Sequence, residues 1–156
     1  GHSCGGWATL RLTAQYINEV GGGISLMPAC FWNLSKKYKV KKVGYEKAME
    51  NFHKKYPGMA GWRQKQIDII KEGNAPILIF THPMDHYEGL TSDWMDTVPN
   101  FKRVVVSETK KINGEKCKIA GSNWEEPVKD AHIIDFADCF MYYHPMIKEY
   151  IASRIK

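Results

Sequence analysis

The sequence predicts an α/β fold: a short parallel sheet of about three strands flanked by helices. Three observations carry this. A Gly-x-Ser-x-Gly run at Gly1-His2-Ser3-Cys4-Gly5 leads at once into the apolar stripe of an amphipathic helix. Pro76-Ile77-Leu78-Ile79-Phe80-Thr81 is a continuous apolar run, the pattern of a parallel strand buried on both faces. Between them lies a strand pattern, Ile24-Ser25-Leu26-Met27, so the chain starts like a βαβ unit whose first strand lies outside it.

Taken in order, apolar residues recur at Trp7, Leu10, Ala14 and Ile17, predicting a helix over 6–20 that Gly21-Gly22-Gly23 ends. Pro28 stops the strand at 24–27. Residues 31–75 read as a helical cap insert. It opens on Phe31-Trp32, passes through a lysine-rich segment, and continues in two helical patterns. The first carries Tyr45, Ala48, Met49, Phe52 and Tyr56 and is closed by Pro57-Gly58. The second carries Trp62, Gln66, Ile69 and Ile70 and is closed by Gly73-Asn74. Phe31, Trp32, Tyr38 and Trp62 are candidates to line an acyl pocket; packing against the sheet accounts for these aromatics equally well. After the strand at 76–81 comes the loop His82–His86, then a short helix over 91–98 with Ser92 as its cap. A third strand is predicted over 102–107, with a turn at Asn113-Gly114 and a small hairpin through 116–119. His132 falls in a loop, and helices over 136–143 and 145–155 close the chain, Pro145 suiting the first turn of the latter.

At 156 residues the chain can bury one real core. No apolar run reaches the roughly 20 residues that span a bilayer, so no membrane span is expected. The net charge of +5 is local: between Asn33 and Ala75 there are eleven Lys and Arg against four acids. That excess reads as a solvated helix face and not as a nucleic-acid surface. The four cysteines, Cys4, Cys30, Cys117 and Cys139, form no Cys-x-x-Cys pair and no zinc spacing. They are expected to be reduced and to fill small spaces, with one disulfide left open.

Chemistry concentrates at strand ends. In an open parallel sheet the C-terminal strand edges point one way, so Ser3, Asp85 and His132 should converge on one crevice. A serine needs a base; an imidazole supplies it, and a carboxylate fixes the imidazole tautomer. Ser3 is therefore the candidate nucleophile, His132 the base and Asp85 the orienting acid, with the Cys4 N–H at the helix start facing the developing oxyanion. A Cβ at either flanking glycine, Gly1 or Gly5, is expected to clash as the turn folds back. Asp93, Asp96 and Asp135 are rival acids and His144 a rival base. They fall on helices or at helix starts, where a structural role suffices. His82, Asp85 and His86, with Glu88, form an alternative metal-dependent hydrolase site, although His-x-x-Asp-His misses the His-x-His-x-Asp-His pattern. A non-catalytic binding module is the third alternative, and the presence of both Ser3 and His132 argues against it.

With the elbow at Gly1–Gly6, the strand leading to Asp85, and Ala131-His132 before a terminal helix, the chain resembles the C-terminal half of an α/β-hydrolase. The nearest branch is that of the dienelactone hydrolases and prolyl oligopeptidases. The resemblance covers the whole chain as one domain, with 31–75 as an insert. It implies a serine hydrolase acting on a small-molecule ester or peptide through Ser3, His132 and Asp85, without a cofactor. His82 stands where the family often has glycine, and serine stands where dienelactone hydrolases usually have cysteine. The resemblance also implies a missing N-terminal half with a second oxyanion donor. Residues 1–156 alone are therefore expected to be inactive, and the compartment, cytoplasmic or periplasmic, stays open.

Overall fold

The computed structural model describes residues 1–30, 45–82, 85, 87–106, 111–112, 115–116, 132 and 138–155. Their centre is a three-stranded parallel sheet in the order β1 (Gly23–Leu26), β2 (Ile77–Thr81), β3 (Phe101–Val105). Ile24 lies opposite Leu78, and Leu78 opposite Lys102, so all three strands end at one edge. Residues 1–3 extend this arrangement: His2 bridges Leu26 in the parallel sense, on the free side of β1.

β2 is buried along its whole length and its side chains divide the core. Ile77 and Ile79 point to one face, where they meet Trp7, Leu10, Ile67, Ile70 and Met95. Leu78 and Phe80 point to the other, against Met27, Val106, Phe140 and Tyr143. The two-residue period of a strand produces this split. Each such side chain contributes about 1.5–3 kcal/mol by leaving water, so β2 is where both halves of the core are joined.

Helix α1 (Cys4–Gln15) covers the first face through Trp7, Leu10 and Ala14, as its stripe predicts. It stops five residues short of the predicted end, because the N–H groups of Glu19 and Val20 both turn back to the Tyr16 carbonyl. Helices α2 (Tyr45–Lys55) and α3 (Pro57–Gly73) lie on the same face and bring Ala48, Phe52, Ile67 and Ile70 into its core. Pro57 opens α3 at its first turn, where a missing N–H costs nothing, and Asn74 ends it in the left-handed conformation. These helices are the described part of the expected insert; residues 31–44, with Phe31, Trp32 and Tyr38, lie outside the described residues. Trp62, on α3, is 57% exposed.

Beyond β2, a 3₁₀ stretch over Gly89–Thr97 replaces the predicted helix, with a kink at Thr91. Ser92 is not its cap: its hydroxyl accepts a bond from Arg103 Nη1 at 2.7 Å. β4 (Lys111–Ile112) and β5 (Glu115–Lys116) pair antiparallel on either side of Asn113-Gly114. A 3₁₀ turn (Asp138–Tyr143) and helix α4 (His144–Ala152) close the second face. Tyr150 pins α4 to the sheet, its hydroxyl donating to the Pro76 carbonyl at 2.7 Å.

One buried ion pair ties α3 to the chain after β2. The Arg63 guanidinium meets the Glu88 carboxylate, its Nε donating to Oε2 at 3.2 Å, and Trp94 Nε1 donates to the same carboxylate at 3.2 Å. The two side chains are 10% and 1% exposed. Removing one partner strands the other charge in the interior. Arg63→Met should therefore lower unfolding free energy by about 3–5 kcal/mol in a urea titration. Adding Glu88→Gln, which removes the stranded charge but keeps an acceptor for Trp94, should recover most of that loss. A single-variant loss below about 1 kcal/mol would show that the pair behaves like a surface pair.

Candidate functional site

Ser3 sits between the bridge at His2 and the first residue of α1, with φ 55° and ψ −126°. A non-glycine residue there is strained by about 1–3 kcal/mol and persists only when its surroundings hold it. They do so at three points. Ser3 N–H donates to the Leu26 carbonyl at 3.1 Å, and the Ser3 carbonyl accepts from Trp7 N–H and from Ala29 N–H, both at 3.0 Å.

The sequence placed the tight glycines at Gly1 and Gly5, and one of these needs correcting. A Cβ on Gly1 would stand 2.3 Å from the Gly5 carbonyl oxygen, whereas one on Gly5 would meet nothing within 4 Å. Gly5 is on the outer side of the first turn. The second close approach is at Gly6, where a Cβ would lie 2.8 Å from the Leu26 carbonyl oxygen as α1 passes over β1.

The three residues expected to converge do meet. Ser3 Oγ is 2.9 Å from His132 Nε2, and His132 Nδ1 is 3.0 Å from Asp85 Oδ2. A carboxylate only accepts, so Nδ1 carries the proton and Nε2 is left to accept from the serine hydroxyl. Asp85 is wholly buried four residues past the end of β2. Its other oxygen accepts the Tyr87 N–H at 2.9 Å, and its own N–H donates to the His82 carbonyl at 3.0 Å. The Cys4 N–H belongs to the first turn of α1, where no residue of the helix lies far enough back to accept it.

Two neighbours of the imidazole were not singled out in the sequence. His2 Nε2–H donates to the His132 carbonyl at 2.7 Å, holding the backbone that carries the imidazole. The Tyr87 ring lies against the imidazole with centroids 4.3 Å apart. His2 could have been suspected from its place next to Ser3. Nothing local marks Tyr87, which acts through a partner 45 positions away in the chain.

The rivals are elsewhere. Asp93 and Asp96 pair with Arg103 at the surface. His144 is exposed at the start of α4, beside Phe140. Asp135 and His86 lie outside the described residues. Among the described residues no three His, Cys, Asp or Glu side chains are grouped to hold a metal. No helix among them is long and apolar enough to cross a membrane.

The cysteines need a correction as well. Cys4 and Cys30 are joined in a disulfide, with Cα atoms 4.7 Å apart. Their separation of 26 residues carries no motif. Parallel alignment of residues 1–3 with β1 brings them together, and that contact is invisible in spacing alone.

Comparison of the chain with protein-family models, with curated proteins and with solved structures finds no match in any of the three.

His82, at the end of β2, is 2% exposed, and burial pushes its imidazole below the usual 6.5, opposed in part by the nearby Asp85 carboxylate. The unfolded chain thus takes up this proton more readily than the folded one. His82's contribution is complete above pH 6.5 and is lost as pH falls from there through the lowered folded value. The thermal midpoint should accordingly drop on acidification below pH 6.5, and drop less in His82→Gln. Equal slopes in scanning calorimetry of the two proteins would refute this.

Proposed function

We propose that this protein is a serine hydrolase of the α/β-hydrolase type, acting on a small-molecule ester or peptide through a covalent acyl-enzyme. One observation carries the proposal: Ser3 Oγ, the His132 imidazole and the Asp85 carboxylate form an unbroken hydrogen-bonded relay of 2.9 and 3.0 Å, with the serine on a strained turn entering a helix. Parallel strand order and the chain order Ser, Asp, His add support.

The geometry translates into steps. As Ser3 Oγ attacks the substrate carbonyl carbon, its proton passes to His132 Nε2. Negative charge gathers on the carbonyl oxygen, where the Cys4 N–H and the positive end of α1 favour it. Asp85 keeps Nδ1 protonated and stabilises the imidazolium. The tetrahedral adduct then collapses: the bond to the leaving group breaks, and His132 returns the proton to that group. Water repeats the sequence on the acyl-enzyme, with His132 taking its proton and Ser3 regaining its own. No cofactor enters any step.

A fluorophosphonate probe tests the chemistry. Labelling of the complete enzyme should map to Ser3, vanish in Ser3→Ala and be indifferent to a chelator. Labelling that persists in Ser3→Ala would refute the proposal. Asp85→Asn should retain the fold by circular dichroism yet lower kcat on an activated ester by about 10⁴, because the imidazole would then present the wrong tautomer. A fall of less than tenfold would remove Asp85 from the relay.

A further inference from the structure

The disulfide sits where the proposed reaction is most sensitive to geometry. Cys4 is covalently next to Ser3, and its own N–H is the oxyanion donor. Cys30 ends the described segment that leaves β1, and within that segment Ala29 N–H donates to the Ser3 carbonyl at 3.0 Å. Cys4 and Cys30 therefore close a short loop around Ser3, made of one covalent bridge and one hydrogen bond. The core does not enclose the bridge. Cys4 and Cys30 are both exposed, while their neighbours Ala29 and Gly6 are buried. Exposure makes its sulfur atoms reachable by a thiolate.

We propose that the Cys4–Cys30 disulfide is a thiol-addressable clamp on the oxyanion side of Ser3, so that a dithiol reductant lowers turnover of the site. This rests on the serine-hydrolase function proposed above. In the exchange, a thiolate of the dithiol attacks one sulfur and displaces the other as a thiolate, forming a mixed disulfide. The reductant's second sulfur then attacks its own half of that mixed disulfide and releases the remaining cysteine. The dithiol is oxidised by two electrons to its cyclic disulfide, and Cys4 and Cys30 each end as a thiol carrying one of its protons. With the bridge open, the first turn of α1 loses its covalent tie to the segment after β1 and keeps only its hydrogen bonds and packing. The Cys4 N–H, in the same peptide plane as the Ser3 carbonyl, is then directed only by the bonds to that carbonyl and is held less narrowly. Substrate binding does not depend on that donor, whereas the transition state does, so kcat should fall while KM holds.

The test compares the full-length protein oxidised, reduced with dithiothreitol and desalted without air, and as the C4S/C30S double variant. Serine at position 4 preserves the backbone donor and removes only the bridge. Mass spectrometry after alkylation establishes that Cys4 and Cys30 are reduced, and steady-state hydrolysis of p-nitrophenyl acetate and thermal denaturation are measured on all three. Reduction should lower kcat by at least about tenfold and by no more than the 10²–10³ that loss of one oxyanion donor costs, with KM changed less than about twofold. The double variant should match the reduced protein and ignore dithiothreitol, and all three should unfold cooperatively. Unchanged kcat after proven reduction would overturn the clamp. So would loss of the cooperative transition, which would make the bridge a staple of the fold. Hydrolysis by the oxidised protein that survives Ser3→Ala would remove the serine-hydrolase function itself, and the clamp with it.

Discussion

Two backbone bonds at Leu26 hold the arrangement on which everything else depends. Its N–H donates to the Gly1 carbonyl at 2.8 Å, and its carbonyl accepts the Ser3 N–H at 3.1 Å. The turn into α1 is thereby aligned with β1, and β1 is aligned in turn with β2. Close approach of α1 to the strand completes the constraint, since Gly6 passes near the Leu26 carbonyl and the Ser25 hydroxyl donates to the Gly6 carbonyl at 2.9 Å. Ser3 keeps its strained backbone because both its amide N–H and its carbonyl are committed to neighbours. Positive φ also turns its side chain away from the ladder and toward His132.

The Asp85 carboxylate is held by different means. Asp85 lies in a loop, and what fixes it is a chain of contacts leading back to the core. Tyr87 N–H anchors its carboxylate, and Glu88 is locked by Arg63, Trp94 and Thr91. Arg63 belongs to α3 and lies over the Trp7 ring at 5.8 Å, and Trp7 is part of α1. Helix, Asp85 loop and Ser3 turn thus share one set of buried contacts. This explains why a buried ion pair, seldom more stabilising than an apolar substitute, is of use here: it fixes direction.

Much of the fold was legible in the sequence because it follows from period and punctuation. The three strands, the apolar stripe of α1 and the C-terminal stop of α3 at Asn74 are local signals, and they were read to within a residue or two. The meeting of Ser3, Asp85 and His132 was legible too, although His132 lies in helical backbone and not in the loop expected for it. What stayed hidden depends on contact between distant parts. The Cys4–Cys30 bridge, the ion pair of Arg63 with Glu88, and the placement of Tyr87 on the imidazole have no sequence period. Gly5 and Gly6 illustrate the limit well. The motif names Gly5 and not Gly6, yet the direction of α1 over β1 makes Gly6 the one that faces a wall.

Burial along the relay runs in the order the proposed chemistry needs. Ser3 is half-buried, His132 is 8% exposed and Asp85 is fully enclosed. A nucleophile must be reached by its substrate, so it cannot be covered. The carboxylate never leaves its place, and away from water its attraction for an imidazolium is less screened than it would be at the surface. The imidazole lies between these conditions. It must stay close enough to the crevice to move a proton, yet covered enough that water does not compete for Nδ1. The Tyr87 ring on its face and the His2 bond to its backbone meet that need from two sides. None of these contacts takes part in bond making, but they hold the backbone and one face of the imidazole in the observed orientation. In that orientation its two nitrogens reach the serine and the carboxylate at once.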